Sequence, residues 1–368
     1  MNAPKVTVMM AVYNAGKYLR QAIESILGQS FGDFELLIHD DGSTDDSAQI
    51  IDSYRDSRIR AGRNPVNQGE ERVRNHCLRV ARGEYIAVLD ADDIARQDRL
   101  QIQIDVLDRN NDMALVGSVY EIIDESGRVI GNQKVYSDEL AIKWGLLFGN
   151  QFGHSTVMYR RKDVLAVGGY DETLPWGTDF DLWVRLAIRR RLVNLKYPMS
   201  QYRIHTQNAT HTMRSSVKEN SIINVVAKSI YLQTGQTVDL SVASALSQDV
   251  PKPAASKQAL NSAYSTIYHS LGCFVESVAA NRREKEALVT LAVRDLFRLA
   301  GKNPGSLGLA LTKSLCSVAR YDPHSLVRKP YVAAVANKIV PCGILRAVKR
   351  IRWVGSAVHQ ARSQSCRP

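Results

Sequence analysis

The chain has 368 residues and a mass of 41.0 kDa, enough for one large domain or two. Hydrophobic residues make up 45% and charged residues 23%, a globular balance that excludes a disordered or low-complexity chain. The net charge is +11, but residues 281–368 hold 17 basic and 4 acidic residues, a net of +13, so the first 280 residues sum to −2.

The first hundred residues alternate strand and helix signals. Lys5 to Ala11 is a short β-branched and apolar run that ends at the turn Tyr13-Asn14-Ala15-Gly16. A helical stripe of Leu19, Ile23, Ile26 and Leu27 follows. Phe34 to Ile38 is a second buried strand that runs into His39-Asp40-Asp41-Gly42-Ser43-Thr44-Asp45. Ser43 or Thr44 is placed to cap the next helix, which carries Ala48, Ile51 and Tyr54. Ile59 to Arg63 is a weaker strand, Arg72 to Arg82 a helix, and Glu84 to Leu89 a strong strand that stops at Asp90-Ala91-Asp92-Asp93. Strands alternating with helices of this length predict an α/β fold with a mostly parallel sheet covered on both faces. In such sheets ligands sit at the carboxyl ends of the strands.

From Ala114 to Ile130 the pattern becomes that of a hairpin around Asp124-Glu125-Ser126-Gly127, and a helix follows over Asp179 to Arg190. Beyond about residue 212 only helical signals remain, broken at Pro251-Lys252-Pro253, Gly301 to Gly305, Asp322-Pro323 and Pro341-Cys342-Gly343. The expected division is therefore an α/β region over 1–215 and a helical, basic region over 216–368.

Taken singly, the polar strand ends say little. Asp90-x-Asp92 is an ordinary turn in isolation, and Asp40-Asp41-Gly42-Ser43 is a common helix entry. Two carboxylates two residues apart at a strand end can nevertheless share a divalent cation with a pyrophosphate, since hard oxygen ligands suit Mg²⁺ or Mn²⁺. Three such ends in one parallel sheet would face a single crevice.

With NQGEERVRN, RGEYIAVLDADD and GGYDETLPWGTDFDLWVRL following in order, residues 5–210 resemble the family 2 glycosyltransferases of the GT-A fold. The resemblance implies a Rossmann-like nucleotide-binding domain. It places Ala11 and Tyr13 at the nucleotide, with Tyr13 stacking on the base, and Asp41 on the uracil edge with Asp40 beside it. Arg74 matches a base- or phosphate-side arginine, with Arg72 as a competitor. Asp90 corresponds to a residue near the ribose and metal, Asp92 to the direct metal ligand, and His205 to a histidine that completes the metal's coordination. His154 matches a segment on the acceptor side. Asp179 corresponds to the general base, with Asp181 as a rival two residues on. Thr178 departs from the family, which has Glu at this position.

The function these matches imply is an inverting, Mn²⁺- or Mg²⁺-dependent transfer from a nucleotide-sugar, most simply a UDP-sugar, to a glycan or lipid-linked acceptor in bacterial surface polysaccharide or lipopolysaccharide assembly. Two rivals are a sugar-phosphate nucleotidyltransferase and a non-catalytic scaffold that keeps the fold. The first calls for a glycine-rich basic loop after the first strand, where VYNAGKY has one glycine. The second is motivated by Thr178.

Five widely spaced cysteines (Cys77, Cys273, Cys316, Cys342 and Cys366) read as reduced thiols of a cytoplasmic protein. Neither a signal segment nor an apolar run of spanning length is evident. In the tail, Ile344, Leu345, Ala347, Val348, Ile351 and Val354 share one side of a helical wheel, with Arg346, Lys349 and Arg350 opposite and Trp353 on the basic side. A basic amphipathic helix predicts peripheral docking on an anionic membrane surface. Nucleic acid is not the expected partner, because the tail lacks a recognised binding fold or repeated aromatics.

Overall fold

The computed structural model describes residues 3–250, 255–277, 281–302 and 321. The amphipathic helix expected at 344–354 lies outside these residues, as do the breaks expected at Pro251-Lys252-Pro253, Asp322-Pro323 and Pro341-Cys342-Gly343. Two compact units divide the chain, Met1–Val225 and Val226–Pro368.

The first unit begins with β1 (Val6–Val12), α1 (Gly16–Leu27), β2 (Phe34–Asp40), α2 (Ser47–Asp52), β3 (Ile59–Arg63), α3 (Glu70–Val80) and β4 (Tyr85–Val88). It continues with β5 (Ile94–Ala95), α4 (Arg99–Arg109), β6 (Met113–Ser118), β7 (Tyr120–Ile123), β8 (Val129–Gln133) and α5 (Glu139–Leu146). A 3₁₀ turn at His154–Thr156 leads into β9 (Met158–Arg160), α6 (Arg161–Ala166), α7 (Thr178–Ala187), β10 (Arg191–Leu195), β11 (Ser200–Arg203) and α8 (Ala209–Thr212). Helix α9 (Ser215–Thr234) follows.

Seven strands form the main sheet in the order β10-β6-β9-β4-β1-β2-β3. All pairings in it are parallel except those of β9, which runs antiparallel to both β4 and β6. A second sheet has the order β5-β11-β7-β8, and its β7–β8 hairpin turns at Asp124 to Gly127, as the sequence predicts. β3 is an edge strand, which accounts for its mixed and partly exposed residues.

The helices are held by apolar faces. Leu19, Ile23 and Ile26 of α1 are fully buried in one cluster with Val8 and Met10 of β1, each such side chain contributing roughly 1.5–3 kcal/mol. The start of α2 departs from expectation. Asp45 Oδ1 accepts from the Ser47 amide at 3.0 Å, whereas Ser43 and Thr44 bond back to Asn14. Those two residues therefore tie two strand ends together instead of capping the helix.

In the second unit, described helices α10 (Leu240–Leu246), α11 (Lys257–Ser277) and α12 (Arg282–Lys302) follow the end of α9. Asp295 is fully buried and paired with Arg294 and Arg298, and Arg298 also donates to the carbonyls of Leu246 and Ser247 at the end of α10. Among the described residues no helix is long and apolar enough to cross a membrane.

Close approach of β1 and β4 yields a stability prediction. A Cβ on Gly83 would lie 2.3 Å from the Thr7 nitrogen and 2.6 Å from the Val6 carbonyl carbon, both backbone atoms that cannot rotate away. Gly83→Ala should cost about 1–3 kcal/mol, read as a lower midpoint in urea unfolding. An unchanged midpoint would contradict this packing.

Candidate active site

Strand pairing brings the first two polar ends together, because Val12 of β1 lies beside Asp40 of β2. Asn14 just beyond has φ of 51°, the left-handed region that Asn tolerates better than most residues. Its Oδ1 accepts from the Thr44 amide at 2.8 Å and fixes the turn. Gly42, at φ 74°, could not carry a Cβ without meeting Val66 backbone at 2.7 Å. Successive strand residues point to opposite faces, and Asp40 and Asp41 separate accordingly. Asp40 is buried, accepts from the Ser43 amide at 3.0 Å and faces Arg63 Nε at 3.2 Å. Asp41 accepts from Asn64 Nδ2 at 2.7 Å and from the Gln68 and Gly69 amides at 2.9 Å. Asp41 lines a cavity of about 460 Å³ with Ala11, Tyr13, Asn67, Asp92 and His205, and Asp40 does not.

The end of β4 carries a denser network. Asp90 Oδ1 lies 3.4 Å from Arg74 Nη2 and 3.3 Å from His154 Nδ1, and its Oδ2 accepts from Ser155 Oγ at 2.9 Å. Burial pushes this carboxyl up, but His154, Arg74 and Ser155 outweigh it and hold Asp90 well below the usual carboxylate range. The two candidate arginines part company here. Arg74 is buried and bound to Glu70 and Asp90, whereas Arg72 is exposed and lies 3.6 Å from Glu172. Both ring nitrogens of His154 are engaged, the second by Tyr170 Oη at 3.0 Å. Its geometry is that of a residue that orients Asp90.

Asp92 faces the chain that returns after β11. His205 Nε2 lies 2.8 Å from Asp92 Oδ2, and Asn208 Nδ2 donates to the same oxygen at 3.1 Å. Arg203, almost fully buried, donates from Nε to the Asp92 carbonyl at 2.9 Å and lies over the Tyr18 ring. A carboxylate and an imidazole thus converge at one point. Among the described residues no third His, Cys, Asp or Glu joins them to complete a metal cluster. The neighbouring Asp93 is fully buried, and burial together with the charges of Asp92 and Asp90 pushes its carboxyl well up.

Helix α7 supplies the opposite wall. It starts after Gly177, whose φ of 72° lies in the left-handed region that favours glycine. Asp179 is half-buried and accepts from Asn150 Nδ2 at 2.7 Å. Asp181 is fully buried and bonded to Arg185 at 2.7 Å, and Arg185 also donates to the carbonyls of Val167 and Gly169. The rivalry between the two carboxylates ends in their burial, because Asp181 anchors the helix while Asp179 lines a second cavity of about 560 Å³. Trp183 is core, as its helical spacing predicts. Asp90 and Asp92 line both cavities.

Sequence reasoning missed Asn150, Ser155, Arg203 and Asn208. None carries a motif of its own. Ser155 reaches Asp90 because β9 inserts antiparallel beside β4, and Asn208 reaches Asp92 through a turn that accepts the His205 amide.

Comparison with known proteins bears on this arrangement. The family model for glycosyl transferase family 2 matches residues 7–165. An uncharacterized glycosyltransferase of Haemophilus influenzae is 38% identical over 167 residues, which are 45% of this chain and 65% of that protein. EpsE of Bacillus subtilis, named as a glycosyltransferase, is 35% identical over 190 residues, 50% of this chain and 67% of that one. The chain thus spans about two thirds of the length of these relatives, and just under that for the Haemophilus protein. Among solved structures, Staphylococcus aureus TarS residues 1–349 in complex with UDP-GlcNAc superposes with a TM-score of 0.53 at 16% identity, covering 87% of this chain and 92% of TarS 1–349. That likeness is one of fold.

The contrast between the two α7 carboxylates is testable by stability alone. Asp181→Ala strips a buried partner from Arg185 and should destabilise the protein by roughly 3–5 kcal/mol, measured by urea unfolding. A loss within the scatter of surface substitutions, about 0.5 kcal/mol, would refute the anchoring role.

Proposed function

Because the chain belongs to glycosyltransferase family 2, we propose that it moves a sugar from a nucleotide-sugar to an acceptor hydroxyl, with inversion at the anomeric carbon. The observation that carries this reading is a pair of adjoining cavities that share Asp90 and Asp92, with Asp41 and Tyr13 on one side and Asp179 on the other. Tyr13, half exposed at 50%, offers a ring face to a base. Asp41 holds the Gln68–Gly69 loop and retains acceptor capacity toward a base N–H. UDP-GlcNAc occupies the TarS structure, so a uridine nucleotide is the first donor to test.

Asp179 is the proposed general base. Asn150 orients its carboxylate at 2.7 Å, and it would take the proton of the acceptor hydroxyl as that oxygen attacks the anomeric carbon. The new glycosidic bond forms as the bond to the diphosphate oxygen breaks, and the nucleoside diphosphate departs with the electron pair. A single displacement of this kind inverts the centre. Arg74, His154 and Ser155 keep Asp90 charged and fixed next to the diphosphate position.

The donor set at Asp92 fits a divalent cation. Its carboxylate and the His205 imidazole offer one hard and one borderline ligand, which suits Mn²⁺ or Mg²⁺ when phosphate oxygens supply further ligands. Such an ion, when bound, offsets the negative charge that develops on the leaving diphosphate. Asn208 and Arg203 hold Asp92 in place for it.

The net charge of +13 over residues 281–368 supports an anionic membrane surface as a partner, each basic residue near it contributing about 1 kcal/mol. Docking on the cytoplasmic face would bring a lipid-linked glycan within reach, and surface polysaccharide assembly is the pathway such an acceptor fits.

Asp179→Asn keeps the shape and removes the base, so turnover should fall by roughly 10²-fold or more, while UDP affinity measured by calorimetry stays the same. Full transfer activity in that variant would reject Asp179 as the base. Asn208→Ala leaves Asp92 without one of its two side-chain partners and should weaken Mn²⁺-dependent UDP binding by about 10- to 100-fold. Equal UDP affinity of the wild type with and without chelator would defeat the cation assignment.

A further inference from the structure

Glu71 lies in the first turn of α3, and Thr178 opens α7. Thr178 is buried at 3% exposure, and its hydroxyl donates to Glu71 Oε1 at 3.1 Å. This bond joins two helix starts that are far apart in sequence and points the Glu71 carboxylate into the 560 Å³ cavity that Asp179 also lines. Arg74 Nη1 stands 4.0 Å from Oε1, beyond hydrogen-bond reach. Oε2 of Glu71 is left to accept from whatever enters.

The rest of the lining decides what can enter. Phe152, Trp176 and Tyr202 offer apolar ring surface of the kind that packs on a sugar face. Five carboxylates line the cavity (Glu70, Glu71, Asp90, Asp92 and Asp179), and Arg74 is the only lysine or arginine among the described lining residues. Arg74 is already engaged by Glu70 and Asp90. A divalent cation at Asp92 would arrive with a diphosphate that carries its own negative charge. Among the described lining residues no further lysine or arginine is left to receive an acid near Glu71 and Asp179, and Lys218, which lies over the Trp176 ring, is bonded to the Thr210 carbonyl.

We propose that Glu71, aimed by Thr178, is a specificity-determining residue that admits neutral or amino-bearing sugars to this cavity and rejects anionic sugars such as uronates. The proposal rests on the reading of the cavity as the place where the transferred sugar sits. Carboxylates accept hydrogen bonds from hydroxyl, amide and ammonium groups alike, whereas a like charge opposite them is repelled.

The test pairs sugars that differ by one carboxylate. Calorimetry with Mn²⁺ present compares UDP-glucose with UDP-glucuronate and GDP-mannose with GDP-mannuronate, with UDP and GDP alone as controls. In the wild type the uronate should bind at least about tenfold more weakly than its neutral partner, since a like charge placed opposite a carboxylate is repelled. Glu71→Gln preserves size and removes the charge, so it should shrink that ratio severalfold while affinity for the bare nucleotide stays unchanged. Thr178→Val should shrink it in the same direction by releasing the carboxylate. An equal ratio in wild type and Glu71→Gln overturns the proposal, including the case in which neither sugar alters affinity relative to the bare nucleotide. A change in bare-nucleotide affinity with the ratio intact would assign Glu71 a structural role and overturn it as well. Failure of both UDP and GDP to bind the wild type would bring down the nucleotide-sugar reading and this inference with it.

Discussion

Parallel pairing of β1 with β2 on one side and β4 on the other sets three carboxyl strand ends side by side, each ~4.8 Å from the next. Chain direction alone places Tyr13-Asn14, Asp41 and Asp90 at one rim of the sheet. Reversing any of these three strands would send its polar end to the opposite rim. The one reversed strand of the sheet, β9, lies just beyond β4, and its antiparallel run delivers the preceding His154–Ser155 turn to the same rim. Both directions of pairing therefore serve one crevice.

Concentrating acids at that rim is costly, and the protein handles each one differently. Asp90 is surrounded by donors and kept charged. Asp41 accepts three protein hydrogen bonds that shape the loop entering α3 and keeps one acceptor site open. Asp93 is buried beside two other carboxylates, which drives it toward the neutral acid. Asp181 is paired with Arg185 and anchors the helix. Asp92, Asp179 and Glu71 line the cavities with fewer protein partners.

Thr178 shows how a local departure from a family pattern can be read only in context. On the sequence it removes an acid next to the expected base and invites the idea of an inactive scaffold. In the structure its hydroxyl holds a carboxylate that belongs to another helix, so the acidic character of that wall is retained from a position 107 residues away. The hydrogen bond also couples the start of α3, which carries Arg74, to the start of α7, which carries Asp179.

Much of this protein was legible from its residues. The β-branched runs ending in Asn and Asp identify β1, β2 and β4, because strand period and turn chemistry are local properties. The spacing of Leu19, Ile23 and Ile26 identifies the buried face of α1 for the same reason. Family resemblance then named Asp92, Asp179 and His205 before any geometry was known. Tertiary structure decided the rest. It separated Asp41 from Asp40 and Arg74 from Arg72 by burial and facing, and it turned His154 toward Asp90. It also recruited Asn150, Ser155, Asn208 and Glu71, which carry no sequence signal because their partners lie between 29 and 116 residues away. Local pattern determines which elements form and where they end; which polar atoms meet depends on strand order and helix placement, and no window of sequence contains those.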